Sequence, residues 1–198
     1  MHRLQAERVL EMTPLPHRSS GFTLIEILVT LTLLSVLMMV AVPSFVGFKR
    51  NSELTSAANS FIGAIATARG EAMKRSVTTM VVPVDGSWAN GWLVFVDSNF
   101  DSSYDASTDI LIATNAEALP AYFSMSKTDP AGYVKYNGSG YSVVDSGFKD
   151  TTIEIKRTDL TGAELLKQTR RIKVNATGRA RVCTPASSSD ATCAASGD

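Results

Sequence analysis

The chain has 198 residues, and its 19 Lys and Arg balance its 19 Asp and Glu, so the formal net charge at pH 7 is zero. That balance excludes a uniformly basic nucleic-acid-binding protein, and an apolar fraction of 44% excludes a disordered chain. The only histidines, His2 and His17, lie close to the N-terminus. If this segment is removed, no imidazole remains to act as a base, so we expect a protein that is not an enzyme and has no cofactor.

Residues 22–42 form an apolar run whose only charged residue is Glu26, with the sequence FTLIEILVTLTLLSVLMMVAV. At 1.5 Å per residue, a helix of this length spans ~32 Å, which matches the ~30 Å hydrocarbon core of a bilayer. The apolar run of a cleavable secretory signal is shorter and is followed by a small-residue cleavage site. The run therefore predicts a single transmembrane helix that stays on the protein. Three arginines before it, Arg3, Arg8 and Arg18, favour a cytoplasmic N-terminus.

Glu26 is the residue that a plain membrane anchor does not explain. A carboxylate at the centre of a bilayer costs about 2.5–3.5 kcal/mol on insertion scales, so such a residue normally marks a function and has a partner. The alternative is that Glu26 lies near enough to the interface to stay hydrated.

The residues around Glu26, Ser-Gly-Phe-Thr-Leu-Ile-Glu from position 20 to 26, resemble the processing site of type IV pilins and type II secretion pseudopilins. The resemblance implies that a prepilin peptidase removes a leader of residues 1–21 by cutting between Gly21 and Phe22, and then methylates Phe22. It also implies an assembly role for Glu26, as a partner for the new α-amino group of a neighbouring subunit. Because leaders in this family are typically short, we expect the true start to be Met12 and not Met1.

The helical pattern continues beyond the apolar run. Leu54, Ala58, Phe61, Ile65 and Ala68 are spaced three or four residues apart, as is Ala72, and so they share one face of a helix. We predict one helix from about residue 22 to about residue 75, with a transmembrane half at 22–42, a periplasmic amphipathic half at 43–76 and a bend at Pro43.

From residue 77 to 198 the pattern changes to short strands without helices between them, which predicts a β-rich globular domain. The predicted strands are TTMVVPV, GWLVFVD, ILIA, YVKY, YSVV, TIEIKR, RRIKV and ARVC. Turns are expected at Asp85-Gly86, Asn90-Gly91, Asn137-Gly138, Thr161-Gly162 and Thr177-Gly178. The expected fold class is α+β, with a long N-terminal helix packed on an antiparallel sheet or small sandwich.

Two further segments resemble the FimT/GspH group of minor pilins and pseudopilins: Ala68–Ala72, with the sequence ARGEA, and Gly91–Asp97, with the sequence GWLVFVD. The resemblance implies a subunit of the bacterial inner membrane whose C-terminal domain is periplasmic and which joins other pilin subunits in a filament. An initiation or tip subunit of a type IV pilus is the first hypothesis. The alternative is an H-type minor pseudopilin of the type II secretion system.

Lys156–Arg181 carries eight basic residues against Asp159 and Glu164, whereas the region between Asp85 and Asp129 is strongly acidic. Within the basic stretch, the sequence Gly-Arg-Ala-Arg at 178–181 resembles the motif of FimT-type pilins that capture DNA. This predicts contacts to the phosphates of double-stranded DNA, made by Arg179 and Arg181 together with Arg170, Arg171 and Lys173. The alternative is that these charges protect an edge strand from aggregation.

The acidic region places Asp97, Asn99, Asp101 and Asp105 at relative positions 1, 3, 5 and 9, which is the spacing of a calcium loop. Ser102 stands where such loops have glycine, and Thr108 stands where they have glutamate. We therefore predict a hydrated loop closed by Asx turns and no metal site, with calcium as the alternative.

Cys183 and Cys193 are the only two cysteines. A domain exported to the oxidising periplasm is expected to join them in a disulfide.

Overall fold

The computed structural model describes residues 21–128, 132–144 and 147–196. The first 20 residues of the expected leader, 1–21, and with them the expected start at Met12, lie outside the described residues. The chain divides into two compact units, the first ending at Phe45 and the second covering Val46–Asp198.

Helix α1 covers Leu24–Arg75 and contributes to both units. Its N-terminus is capped because the hydroxyl oxygen of Thr23 accepts a hydrogen bond from the backbone N–H of Glu26 at 3.2 Å. In the first unit the side chains of α1 at 24–42, 44 and 45 are exposed, and the helix is long and apolar enough to cross a membrane. The hydroxyls of Thr30, Thr32 and Ser35 donate to carbonyls of the preceding turn, so these three side chains are hydrogen-bonded within the helix.

The second unit is built on the face of α1 that the periodicity predicts. Leu54, Ala58, Phe61, Ile65, Ala68 and Ala72 are all buried. The ring of Phe61 makes edge-to-face contacts with Trp88 and Trp92, at centroid distances of 5.4 and 5.0 Å. This face of the helix therefore forms the centre of the hydrophobic core.

Two antiparallel sheets complete the unit. Their strands are β1 (Thr79–Val84), β2 (Ser87–Val96), β3 (Ile110–Asn115), β4 (Phe123–Lys127), β5 (Val134–Tyr136), β6 (Ser142–Val144), β7 (Gly147–Phe148), β8 (Thr151–Arg157), β9 (Thr169–Val174) and β10 (Ala180–Cys183). The first sheet has the order β3-β2-β1-β5-β6-β7, and the second has the order β10-β9-β8-β4. The predicted α+β class, with a long apolar helix followed by antiparallel sheets, is confirmed.

Three local features differ from the sequence-based expectation. Asn90-Gly91 is not a turn but lies inside β2. Glycine suits position 91 for two reasons: its φ is 98°, and a Cβ there would lie 1.9 Å from the carbonyl oxygen of Asn115 in β3. Thr161-Gly162 is not a turn between strands but the start of a short helix, α2 (Gly162–Lys167), with Thr161 as its N-cap residue. The sequence pattern did not predict strands β4 and β7, and β4 carries alternating serines that weaken its apolar pattern.

Candidate functional site

The expected processing site lies immediately before the capped start of α1. Gly21 and Phe22 precede the helix, and the Phe22 side chain is 79% exposed. Glu26 occupies the first helical turn, where a carboxylate interacts favourably with the helix dipole. The peptide bond between Gly21 and Phe22 is therefore outside the helix, in an exposed position that a protease can reach.

The Gly-Arg-Ala-Arg segment begins in the tight turn between β9 and β10. The backbone N–H of Asn175 donates to the carbonyl of Arg179 at 3.1 Å, and the N–H of Gly178 donates to the carbonyl of Asn175 at 2.8 Å. The side-chain oxygen of Asn175 accepts the N–H of Arg179 at 3.0 Å. These bonds fix the backbone that presents Arg179.

Arg69, from the ARGEA segment of α1, holds this turn against a second turn. Its Nε donates to the carbonyl of Gly140 at 3.0 Å, and its Nη2 donates to the carbonyl of Thr177 at 2.9 Å. The hydroxyl of the buried Tyr136 donates to the carbonyl of Gly178 at 3.3 Å, and burial raises the pKa of Tyr136. Gly178 itself has a φ of 82°, and a Cβ at this position would lie 1.9 Å from the carbonyl oxygen of Gly140.

The two arginines of the segment differ in their surroundings. Arg179 is exposed, and within the described part of the chain its side chain makes no hydrogen bond or ion pair. Arg181 is half-buried, and its Nη2 donates to the carbonyl of Thr192 at 2.9 Å. Ala180, between them, packs against the core.

Arg170, Arg171 and Lys173 do not form an accessible face with Arg179 and Arg181. Arg170 points to α1, where its Nη2 donates to Asn51 Oδ1 at 2.8 Å, and burial lowers its pKa. The exposed fractions of Arg171 and Lys173 are only 8% and 2%. The five residues predicted to contact DNA therefore do not share one accessible surface, because every β9 residue except Arg170 is buried.

The C-terminal segment contributes to this enclosure. Arg171 pairs with Glu154, with 2.7 Å between Nε and Oε2, and its Nη1 donates to the carbonyl of Cys193 at 2.6 Å. The predicted disulfide between Cys183 and Cys193 is present. Asp190 accepts a hydrogen bond from the backbone N–H of Ala186, which has the largest effect, and another from the side chain of Thr192. These bonds lower the pKa of Asp190 to about 2. The segment is thus fastened to the sheet at several points.

The acidic loop contains the predicted Asx turns. The side-chain oxygens of Asn99, Asp101 and Asp105 each accept the backbone N–H two residues later, at 3.3, 2.8 and 2.8 Å. The ends of the loop, however, are not hydrated, because Asp97 is 1% exposed and Asp109 is 8% exposed. Among the described residues, no three His, Cys, Asp or Glu side chains converge to hold a metal ion.

A capped, exposed apolar helix that continues into the core of an antiparallel β domain defines a pilin-like subunit. The family model for type II transport protein GspH matches residues 57–178, and the model for the prokaryotic N-terminal methylation motif matches residues 16–42. The chain belongs to the GspH family and is a minor pilin or pseudopilin with a prepilin peptidase processing motif. Proteins of this family are structural pilins or pseudopilins.

Solved structures show the same fold. The type IV minor pilin FimU of Pseudomonas aeruginosa matches with a TM-score of 0.52 and 18% identity, over 69% of this chain and 92% of FimU. A second crystal form of FimU matches with a TM-score of 0.50 and 15% identity, over 65% and 91% of the two chains. No curated protein matches the chain.

Proposed function

We propose that this chain is a structural minor subunit of a type IV pilus. Prepilin peptidase cuts it between Gly21 and Phe22 and methylates Phe22. Residues 22–42 then hold it in the inner membrane, with its C-terminal domain in the periplasm, until it enters the filament as an initiation or tip subunit. The observation that carries this proposal is the capped helix start, which leaves the cleavage site exposed and places Glu26 in the first turn.

Glu26 also supports assembly through the helix. Within the described residues its carboxylate has no ion-pair partner. Cleavage creates a charged α-amino group at Phe22, and the amine of a neighbouring subunit provides that partner in the filament. A charge buried in an apolar environment is tolerated when it is paired, so this contact favours one register of neighbouring helices.

Processing is tested by expressing the full chain with and without a prepilin peptidase and measuring the intact mass of the product. We expect loss of residues 1–21 and the addition of one methyl group at Phe22. Gly21→Val should reduce cleavage at least tenfold, because the wider side chain enters the peptidase site. Within the described residues a Cβ at position 21 would meet no atom within 4 Å, so the substitution should not disturb this chain itself. Gly47→Ala, at an unobstructed position within α1, should be cleaved normally. Cleavage at another bond, or normal cleavage of Gly21→Val, would contradict the assignment.

We also propose that Arg179 and Arg181 contact the phosphates of double-stranded DNA. Other basic residues of the stretch are already paired, with Arg157 on Asp159, Lys156 on Glu154 and Lys167 on Glu164. Arg179 is more available than Arg181, because Arg179 is exposed whereas Arg181 is half-buried and donates to the carbonyl of Thr192. The planar guanidinium of Arg179 can bind two phosphate oxygens without reading the sequence.

DNA binding is measured with the full chain in detergent, at several salt concentrations. Two phosphate contacts predict a slope of about −2 for log Kobs against log salt, so we expect weak binding that does not depend on sequence. Arg179→Gln should weaken binding at least fivefold. Lys167→Gln, which removes one exposed charge from the same stretch, should change it less than twofold. Equal losses in both variants would show a diffuse charge effect instead of a site.

A second candidate function is that of a minor pseudopilin in type II secretion, which the name of the matching family model favours. Deletion of the gene distinguishes the two. A pilus subunit should be needed for piliation, whereas a pseudopilin should be needed to release exported enzymes from the periplasm.

A further inference from the structure

Asp97, directly after β2, has a carboxylate oxygen to which no described residue donates a hydrogen bond. The residue is 1% exposed, and its Oδ1 is buried without a hydrogen bond. The other oxygen, Oδ2, accepts the backbone N–H of Ser102 at 3.2 Å, so the carboxylate is directed into the loop that follows. Burying a carboxylate oxygen without a hydrogen bond or a cation is costly, so the position is suited to a positively charged ligand.

The loop has the register of a calcium-binding loop at its first six positions. Asp97, Asn99 and Asp101 stand at positions 1, 3 and 5. Ser102, at position 6, has a φ of 62°, the left-handed conformation for which such loops use glycine. In the sequence, serine in place of this glycine argued against calcium. The structure removes that objection, because Ser102 adopts the left-handed conformation.

Asp109 supplies the acidic residue that the sequence pattern lacks. Thr108 occupies position 12, but the next residue, Asp109, is buried at the base of the loop. Its Oδ1 accepts the N–H of Ser98 at 2.9 Å, next to Asp97, and its Oδ2 accepts the N–H of Asp105 at 2.9 Å. Both ends of the loop thus carry a buried carboxylate.

We propose that the loop at residues 97–109 binds one calcium ion, with Asp97 Oδ1 as a ligand. Asp101, Asn99 and Asp109 provide further oxygens, and backbone carbonyls and water complete the six to eight that calcium takes. Within the described residues the carboxylates do not converge, because Asp101 and Asp109 bond to backbone N–H groups, so binding has to draw them together. Calcium is favoured over magnesium because it tolerates irregular geometry and gives up water more readily.

The positive charge of Lys135 should weaken calcium binding, which gives a second test of the site. Its Nζ donates to Ser102 Oγ at 2.8 Å, which places an ammonium group beside the loop. Repulsion from this group weakens the binding of a divalent cation, so Lys135→Gln should increase calcium affinity.

The test is calorimetric titration of the full chain in detergent with calcium chloride, repeated with magnesium chloride. We expect one calcium per chain with a Kd of ~10⁻⁴–10⁻³ M, the range of calcium sites in extracellular modules, and weaker magnesium binding. Asp97→Asn should abolish the signal. Asp101→Asn, an exposed position where asparagine keeps the acceptor for Ser103, should weaken binding at least tenfold without unfolding the loop.

Glu117→Gln is the matched control, since it removes one negative charge from an exposed position beyond the far end of β3 and should leave binding unchanged. No calcium binding by the folded wild-type chain at millimolar concentration would overturn the proposal. Binding that Asp97→Asn and Asp101→Asn both retain would also overturn it, because the ion would then lie elsewhere. The result does not depend on the proposed pilus role.

Discussion

Replacing Gly178 with alanine is expected to lower the free energy of unfolding of the β domain by about 3 kcal/mol. The new Cβ would lie 1.9 Å from the carbonyl oxygen of Gly140 and 3.0 Å from Arg69 Nε. Overpacking of this kind costs about 1–3 kcal/mol, and the left-handed backbone adds about 1–2 kcal/mol for a residue with a Cβ. Thermal unfolding followed by circular dichroism measures the change.

Gly70→Ala is the control for this substitution. Gly70 is exposed in α1, and a Cβ added there would have no neighbouring atom within 4 Å, so alanine should stabilise the helix by up to about 1 kcal/mol. If Gly178→Ala unfolds at the wild-type temperature, the close approach of the two turns is absent in solution. The close approach of the two turns thus requires glycine at position 178, whatever the role of the two arginines that follow it.

Arg171→Leu is expected to destabilise the domain by about 3 kcal/mol. It breaks a buried ion pair, in which the Arg171 and Glu154 side chains are 10% and 11% exposed, and it removes the donor to the carbonyl of Cys193. Breaking such a pair from one side costs about 3–5 kcal/mol, and we expect the lower end because Lys156 still contacts Glu154. Chemical denaturation gives the change directly.

Two controls separate burial from charge in this result. Lys167→Leu breaks an exposed pair and should cost no more than about 1 kcal/mol. The double variant Arg171→Leu/Glu154→Leu should recover part of the loss, since it leaves no unpaired carboxylate. A loss of equal size in Lys167→Leu and Arg171→Leu would contradict the argument from burial.

The same pair predicts a response to acid. Burial raises the pKa of Glu154, but hydrogen bonds from Lys156 and Arg171 outweigh it, and the pKa is lower than usual. A carboxyl with a lowered pKa contributes stability at neutral pH that is lost as the pH falls through its folded-state pKa. Arg171→Leu should therefore show a smaller acid-induced loss of stability than the wild type.

The parts of the fold that the sequence predicted are those that local pattern determines. The apolar face of α1 follows from helical spacing, and strands such as β1, β8 and β9 follow from runs of β-branched residues. The processing motif is likewise a short segment in which a glycine, a phenylalanine and a glutamate stand in register before an apolar run.

The missed features depend on contacts between residues far apart in the chain. Counting charges made Arg171 and Lys173 part of a basic surface, because nothing near them in the sequence shows that Glu154 and Cys193 lie against Arg171. The role of Arg69 was missed for the same reason, since its acceptors lie 71 and 108 residues away. Asp109 was missed because the spacing of calcium loops places the last acidic ligand at position 108.

The burial of Lys173 has a practical consequence for chemical labelling. Amine-reactive reagents should modify exposed lysines such as Lys49 and Lys74 while sparing Lys173, which is 2% exposed. A peptide map in which Lys173 becomes modified would therefore report that the second sheet has opened. Because that signal comes from a single position, it distinguishes local opening of the domain from a rearrangement of subunits within a filament.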